Sequence, residues 1–416
     1  MKEKNIVAML EAEVRANGGD AKKGRVAFVN RMKREVLGIT ENDAGNPVIA
    51  KGSARPEEFS LREVAEAVGG RQWVNNFVRP GEGPDLQTVL EAGPGIDPTN
   101  FLHTSTYNSL VGGLIEAKVI EAFNNPAYIG DQLVETVPTR QNGEKMIGVT
   151  SIAANDGEIR KPGEPHARTG FGEHYVTTPE LVEKALAVEV TQEAAFYDYT
   201  GQVLQRAAAV GDVLAYGKEK TIIDLALGVT NPYIYNGTGY NTYQTSTPWI
   251  NSHQNVMEDY TDIDNMLALF EQMTDPTTGR EILVNPTQIL HMPRARNTFN
   301  RVLNSTEVRE TTNTNSVTIS PNPVKQNFQL LESPIVFNRA KAADGLNLSA
   351  DNAKKLWIAG EFKKALKWME AWALRVRQAQ ATEYVMLDRG LIAAYFANHR
   401  GIGAVVEPRY LVKNTH

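Results

Sequence analysis

The chain has 416 residues, of which 42% are hydrophobic and 22% charged, and it contains no cysteine. This composition predicts a folded protein with a sizeable apolar core and two or three domains, and it excludes disulfides, thiolate metal sites and cysteine nucleophiles. No stretch approaches the about 20 consecutive apolar residues of a membrane span, and the start lacks a secretory signal pattern. We therefore expect a soluble protein made in a cytoplasm.

The net charge of −6 is unevenly distributed along the chain. Residues 1–55 carry +4 and residues 351–416 carry +5, so the region between them carries −15. Basic ends can contact polyanions or other copies of the chain. The alternative is that these charges are simply solvated.

The first hundred residues combine small helices with turn-forming segments. Helical spacing of apolar residues predicts two short helices within residues 5–37 and a third at residues 61–68. Four prolines and four glycines between residues 79 and 99 predict a linker. Residues 1–104 are therefore predicted to form an extended arm without a core of its own.

A helix and a long two-stranded excursion are predicted next. The helix covers residues 105–124, with strands at 131–140 and 145–153, and a β-branched stretch at 175–190 returns from a charged tip rich in Gly and Pro. Residues 137–190 form this excursion. Because two strands alone cannot bury a face, we expect it to need support from outside the chain.

The longest predicted helix runs from Thr191 to Leu227 and contains no proline. At about 1.5 Å per residue it would measure about 55 Å. Gly201, Gly211 and Gly217 interrupt it, and each costs about 1 kcal/mol relative to alanine, which indicates a bend or a close helix crossing.

The remaining residues predict a mixed α/β domain and a closing strand region. Residues 229–250 resemble a surface loop, the domain ends near Gly360, and residues 365–379 and 391–411 carry strand signals. The predicted elements between them are a helix at 262–273, strands at 282–284 and 289–292, a helix at 294–303, and strands at 317–319 and 335–337.

No residue pattern predicts catalytic, cofactor or metal chemistry. The stretch Gly211–Lys218 is close to a phosphate-binding loop, but it has one residue too many and falls inside a helix. Asp259, Asp262 and Asp264 lack the glycine and glutamate of a calcium loop, and helix capping by Asp262 explains them better. The histidines show no metal-binding spacing, although His166 and His174 flank the tip of the excursion. Core or subunit contacts are predicted for four of the five tryptophans, Trp249, Trp357, Trp368 and Trp372.

The order of these elements resembles the major capsid proteins of tailed bacteriophages with the Hong Kong 97-type fold. The best local signals are Thr191-Gln-Glu-Ala at the start of the long helix and Gly403-Ala-Val-Val-Glu-Pro-Arg near the end. The resemblance implies an α+β fold. Its segments are an N-terminal arm (1–104), the start of a peripheral domain (105–136), an extended β-hairpin loop (137–190), a spine helix (191–228), an α/β axial domain (229–362) and a return to the peripheral domain (363–416).

The resemblance implies a structural protein rather than an enzyme. Copies would assemble as hexamers and pentamers into an icosahedral shell around double-stranded DNA, without sequence specificity and without a cofactor. The protein would belong to the virion and assemble in the host cytoplasm, with scaffolding, portal and decoration proteins as further partners. Residues 1–55 are our candidate for a region that faces inward.

Charged residues at the tip of the excursion are the predicted intersubunit contacts. They are candidates for ion pairs with neighbouring copies, each contributing about 0 to 1 kcal/mol. The five residues are Asp156, Glu158, Arg160, Lys161 and Glu164. Two alternatives remain open: an encapsulin-like bacterial compartment around a cargo enzyme, and an α/β enzyme with an active site in residues 229–362.

Overall fold

Helices and strands are interspersed along the chain in the computed structural model, and the fold is α+β, as predicted. The predicted helix at 61–68 and nearly all of the tip of the excursion lie outside the described residues. The structure describes residues 6–18, 21–41, 47–50, 99–147, 162, 175–191, 202–230, 233–275, 279–313, 316–322, 328–380 and 391–415.

Helices form mostly where the apolar period predicts them, but two short helices form where strands were predicted. Residues 335–337 were expected to be a strand but lie in a helix, because the Ser333 hydroxyl accepts the Ile335 N–H and Pro334 occupies the first turn. The helices are α1 (Ile6–Ala16), α2 (Ala21–Arg31), α3 (Thr99–Phe123), α4 (Gly130–Leu133), α5 (Gln202–Leu227), α6 (Thr261–Glu271), α7 (Arg296–Asn304), α8 (Pro334–Lys341), α9 (Ala350–Ala353) and α10 (Phe362–Ala365).

The strands pair into five sheets within the described residues. Their orders are β1-β2, β13-β10-β14-β17-β9, β11-β12, β3-β15-β16-β6 and β4-β5-β7-β8. The strands are β1 (Ile39–Glu41), β2 (Pro47–Ile49), β3 (Glu135–Pro138), β4 (Lys145–Ile147), β5 (Tyr175–Thr177), β6 (Val182–Thr191), β7 (Tyr233–Tyr235), β8 (Thr238–Tyr240), β9 (Ser252–Gln254), β10 (Gln288–His291), β11 (Glu307–Asn313), β12 (Ser316–Pro321), β13 (Gln329–Glu332), β14 (Trp357–Gly360), β15 (Leu366–Gln380), β16 (Leu391–Val405) and β17 (Leu411–Thr415).

Four predicted elements differ from the structure, and one of them is the predicted surface loop 229–250, which contains β7 and β8 and buries Tyr233 and Trp249. The predicted strand at 131–140 begins instead with the short helix α4 and continues as β3. Thr191 ends β6 rather than starting the long helix, whose described part begins at Gln202, because the alternating stretch before it favours a strand. Residues 282–284 are not a buried strand, since Leu283 is almost fully exposed.

The base of the excursion is supported by its own chain, contrary to the sequence-based expectation. β4 and β5 pair antiparallel, with Lys145 opposite Thr177, and β7 and β8 extend the same sheet beyond β5. The returning stretch is also divided, because β5 and β6 belong to different sheets. Pro179 lies between them and has no N–H to donate to a ladder.

The chain forms two compact units. Unit 1 comprises residues 1–125, 183–216 and 372–400. Its core is apolar and centres on α3, the first half of α5 and β6, where Leu114, Leu204 and Val190 are all buried. A Cβ on Gly211 would lie 2.5 Å from the Val119 carbonyl oxygen, so this glycine permits the close helix crossing that the sequence indicated.

Unit 2 comprises residues 126–182, 217–371 and 401–416. Its core is built on the five-stranded sheet, in which β14 is central and pairs antiparallel with both β10 and β17. All four residues of β14 are buried, as expected of a strand covered on both faces. Trp357 and Trp368 lie in this core, which confirms one of the two roles predicted for them.

Candidate functional site

The five predicted contact residues at the tip of the excursion lie outside the described residues, as do His166 and His174. The five are Asp156, Glu158, Arg160, Lys161 and Glu164. Their role as intersubunit contacts therefore stays a prediction.

The segment that approximates a phosphate-binding loop is part of α5 and has a structural role. Lys218 Nζ lies 2.7 Å from Asp131 Oδ1, so its charge is directed to a neighbouring carboxylate. Glu219 accepts the backbone N–H groups of Ile129 and Gly130 at 3.1 and 2.7 Å. Burial raises the pKa of Glu219, and these two hydrogen bonds oppose the rise. The segment ties α4 to α5 rather than holding a nucleotide.

The aspartates near the start of α6 organise the preceding turn. Asp262 accepts the N–H groups of Glu258 and Asp259 at 2.6 and 3.0 Å. The helix N-cap is Tyr260, without a side-chain cap, so the predicted capping by Asp262 is wrong in detail. Across the described ranges, no group of three or more His, Asp or Glu residues could hold a metal ion.

Two histidines of unit 2, the buried His291 and the half-buried His253, are removed from solvent to different degrees. His291 stacks on Phe299 with ring centroids 4.6 Å apart, and its Nδ1 donates to the Met292 carbonyl at 2.8 Å. Burial lowers the pKa of both His291 and His253, so both rings favour the neutral form. The Glu332 charge opposes this shift at His291, and the stacking on Phe299 gives the His291 ring a packing role.

The last residues of the Gly403–Arg409 motif form a buried ion pair between Glu407 and Arg409. The side chains of Glu407 and Arg409 are each only 1% exposed. Arg409 Nε and Nη2 donate to the two Glu407 carboxylate oxygens, both at 2.6 Å, in a bidentate arrangement. The sequence singled out the motif but did not reveal that its two charged residues bind each other.

A second charged cluster lies under α8 in unit 2. Arg339 Nε donates to Asp224 Oδ1 at 2.5 Å, and its Nη1 donates to Asp344 Oδ1 at 2.9 Å. The Arg339 hydrogen bond lowers the pKa of Asp344. This cluster links the end of α5 to α8, and no sequence pattern indicated it because Asp224 is 115 positions away from Arg339.

A groove of about 880 Å³ opens on unit 1 among β1, β2, α3 and β15. Arg34, Arg375 and Arg377 line it together with Glu41 and Glu116. Glu116 is paired with Lys33 at 2.6 Å, so the lining keeps an excess of positive charge. We call it the arginine groove. It brings residues from the two basic ends of the sequence to one surface.

A smaller pocket of about 220 Å³ lies in unit 2. Its apolar lining comes from Met257, Phe299, Leu356 and Trp357. Its charged lining is cationic: Arg294, Lys354 and Lys355. We call it the Trp357 pocket, and nothing in the sequence pattern marked it in advance.

No helix in the described parts of the chain is both long enough and apolar enough to cross a membrane.

Comparisons with known proteins place the chain in a family. No curated protein matches it. Similar solved structures include Gordonia phage Cozz, 13% identical with a TM-score of 0.40, covering 69% of this chain and 86% of that one. Mycobacterium phage Ogopogo is 11% identical with a TM-score of 0.41, covering 69% and 91%. The holo-SrpI encapsulin complex from Synechococcus elongatus is 13% identical with a TM-score of 0.38, covering 68% and 85%.

The family comparison is the decisive one. A family model described as phage capsid protein matches residues 175–414, more than half of the chain. The match includes the returning strands of the excursion, α5, the five-stranded sheet up to residue 414, and the buried pair of Glu407 and Arg409. As the resemblance in the sequence implied, the chain belongs to the phage capsid protein family.

Proposed function

We propose that this chain is the major capsid protein of a tailed bacteriophage, a structural protein that assembles into an icosahedral shell around double-stranded DNA. Its membership of the phage capsid protein family carries the proposal. Copies associate as hexamers and pentamers in the host cytoplasm and become part of the virion. Scaffolding, portal and decoration proteins are the other partners that this function implies.

The arm and the excursion are the segments proposed to contact neighbouring copies. The arm is residues 1–104, the excursion 137–190, the spine helix 191–228 and the axial domain 229–362. Repetition in every copy lets weak contacts hold a shell, since each exposed ion pair contributes only about 0 to 1 kcal/mol. The charged tip residues, Asp156, Glu158, Arg160, Lys161 and Glu164, are the proposed donors of such pairs.

The arginine groove is the proposed contact with packaged DNA. Arg34 lies in the basic first 55 residues, and Arg375 and Arg377 lie in the basic C-terminal region. Guanidinium groups bind phosphate oxygens in a planar, two-pronged geometry. Packaged DNA has arbitrary sequence, so contacts to phosphates rather than bases are the suitable kind.

Electron microscopy of the purified protein, with analysis of the particle contents, tests the shell. We expect closed particles, and nucleic acid inside particles produced during infection. An enzyme as the only content would instead favour an encapsulin-like compartment. Protein that stays monomeric under all assembly conditions, or a monomer with residues 137–190 deleted that retains an enzymatic activity, would contradict the proposal.

Salt titration of DNA binding tests the groove. The variant Arg375→Gln/Arg377→Gln should bind duplex DNA more weakly and lower the slope of log affinity against log salt by about 2. The variant Lys341→Gln/Lys363→Gln removes two exposed lysines of unit 2 and serves as the control with equal charge. Equal losses in the two variants would show that net charge, not the groove, governs binding.

A further inference from the structure

Unit 2 carries one isolated apolar side chain that protrudes fully into solvent. Leu283 is 90% exposed, the most exposed large hydrophobic side chain in the described parts of the chain. Its neighbour Ile282 is buried, and this burial fixes the backbone next to Leu283. Glu281 precedes it and is also exposed. Leu283 thus forms an apolar knob with an acidic neighbour.

The Trp357 pocket has the complementary character. Its floor is apolar, and a cavity of about 220 Å³ accommodates an aliphatic side chain. Lys354 is bonded to Asp351 at 2.7 Å, and the charges of Lys355 and Arg294 also act on this carboxylate. Three cations thus share one carboxylate, and the rim keeps an excess of positive charge that attracts a carboxylate from another molecule.

The knob and the pocket lie at opposite ends of the same pair of strands. Leu283 precedes β10 by five residues, and Asn285 donates its N–H to Glu361, the residue after β14. The pocket residues Arg294 and Leu356 instead lie just after the end of β10 and just before the start of β14. Because β10 and β14 are antiparallel, the start of β10 lies beside the end of β14, and the end of β10 lies beside the start of β14.

This separation prevents the knob from filling the pocket of its own chain. The four residues of β10 alone span about 13 Å. A contact between one end of a subunit and the opposite end of the next is head to tail, and it closes into a ring when the rotation between copies allows it. The arrangement therefore suits association of identical chains.

We propose that Leu283 of one copy inserts into the Trp357 pocket of the next copy, with Glu281 meeting Arg294 and Lys355. The occupant is a second copy of this chain, because the same unit presents both the apolar knob with its carboxylate and the cationic pocket with an apolar floor. Arg280 directly precedes Glu281, and its positive charge is not attracted to the cationic rim. Glu281 is therefore the residue that supplies the electrostatic attraction of this contact. The contact rests on the proposed shell function and specifies one of its interfaces.

Engineered cysteines test the contact directly, because the natural chain has none. The variant Leu283→Cys/Thr298→Cys, treated with a short bismaleimide after assembly, should give a ladder of covalent oligomers on a denaturing gel. An equal mixture of the two single variants should stop at dimers, as head-to-tail pairing requires. Ile319→Cys/Thr298→Cys is the control, since Ile319 is another exposed apolar residue of unit 2, at 55%.

Substitutions test whether the contact contributes to assembly. Leu283→Asp should raise the protein concentration needed for assembly about tenfold or more, since a buried leucine anchor is lost and a charge enters the pocket. Glu281→Lys should also weaken assembly, and Lys355→Glu added to it should restore part of the loss. Circular dichroism checks that these substitutions leave folding unchanged.

The outcomes separate the contact from the shell function. A ladder specific to Leu283, with weaker assembly of Leu283→Asp, supports the contact. Closed particles without a Leu283 ladder, or with unchanged assembly of Leu283→Asp, would overturn the contact and leave the shell function standing. Natural protein that never assembles would overturn both.

Discussion

The two units of the chain place their charges differently. In unit 2, Glu407 and Arg409 form an ion pair inside the core, with each side chain 1% exposed. In unit 1, the ion pairs of the described residues each keep a partly exposed partner, as in the pair of Lys33 and Glu116. Unit 1 also leaves the arginine groove open. Unit 2 therefore holds an ion pair wholly inside its core, whereas the ion pairs described for unit 1 lie at its surface.

This difference has an energetic basis. A charge removed from water loses hydration worth several kcal/mol, which only a close and well-oriented partner restores. The bidentate contact between Arg409 and Glu407 meets that requirement, and Arg409 Nη1 also donates to the Thr274 carbonyl at 3.3 Å. Exposed arginines in the groove carry no such constraint and can exchange water for phosphate.

The largest expected effect comes from breaking the buried pair. Glu407→Gln leaves the Arg409 charge without its partner in the core and should lower the free energy of unfolding by about 3 to 5 kcal/mol. Urea unfolding followed by tryptophan fluorescence measures it, since the Trp249 ring lies 6.0 Å from the Arg409 guanidinium. Lys364→Met is the control, because it removes a half-exposed partner of Glu361 and should cost at most about 1 kcal/mol.

Replacing both members of the pair gives a further check. Glu407→Leu/Arg409→Met removes both charges together and should restore most of the stability, because no unpaired charge remains. If the single and double variants were equally unstable, the loss would come from packing and not from an unpaired charge.

The stability of unit 1 should depend more on the packing of its helices than on its ion pairs. Gly211→Ala would place a Cβ 2.5 Å from the Val119 carbonyl oxygen, and we expect a loss of about 1 to 3 kcal/mol as the helices move apart. Thermal unfolding monitored by far-ultraviolet circular dichroism measures this loss.

Gly113→Ala is the matched control in the same unit. Its added Cβ would meet only the flexible side chains of Lys33 and Leu37, at 3.3 Å or more. Higher helix propensity should then offset any crowding. Similar losses in both variants would argue that helix crossing at Gly211 is not the tight contact of unit 1.

The sequence predicts those features that depend on local pattern. The long helix and the close crossing at Gly211 follow from apolar spacing and glycine placement. The family resemblance follows from the order of elements and the motif Gly403–Arg409. The fate of residues 335–337 was mispredicted, because a serine cap and a proline outweighed a short β-branched run.

Features that depend on tertiary contacts could not be read from the sequence. Arg339 and Asp224 are 115 positions apart, so their ion pair exists only once α5 and α8 are packed. Leu283 lies in an apolar run that predicts burial, yet only its neighbour Ile282 faces the core. The arginine groove likewise combines residues from opposite ends of the chain.

A buried lysine in unit 2 should make stability depend on pH. Lys413 Nζ donates to the Leu227 carbonyl at 2.8 Å, and burial lowers the pKa of Lys413 to about 8. The folded state therefore binds fewer protons than the unfolded state between about pH 8 and 10.5, and stability should rise with pH across this window. Below pH 8 the cost of the buried charge is fully present.

Lys413→Met removes that cost and also the hydrogen bond to Leu227. At pH 7 we expect a net gain of about 1 to 2 kcal/mol, because a penalty of about 3 kcal/mol outweighs a bond of about 1 kcal/mol. Urea unfolding of both proteins at pH 7 and pH 10 measures the difference, which should shrink at the higher pH. A difference that stays constant with pH would mean that Lys413 does not titrate in this window.

The smallest expected effect is at the exposed pair of unit 1. Glu116→Gln keeps the shape of the side chain but removes the charge that faces Lys33, and we expect a loss below about 1 kcal/mol. The loss should vanish in 1 M salt, where charges are screened within about 3 Å. Urea unfolding at low and high salt measures it, with Glu407→Gln as the buried counterpart whose loss should persist. Because Glu116 also lines the arginine groove, its removal should strengthen DNA binding while it weakens folding slightly. That opposite response of stability and binding is the behaviour expected of a unit whose charges serve a ligand rather than its own core.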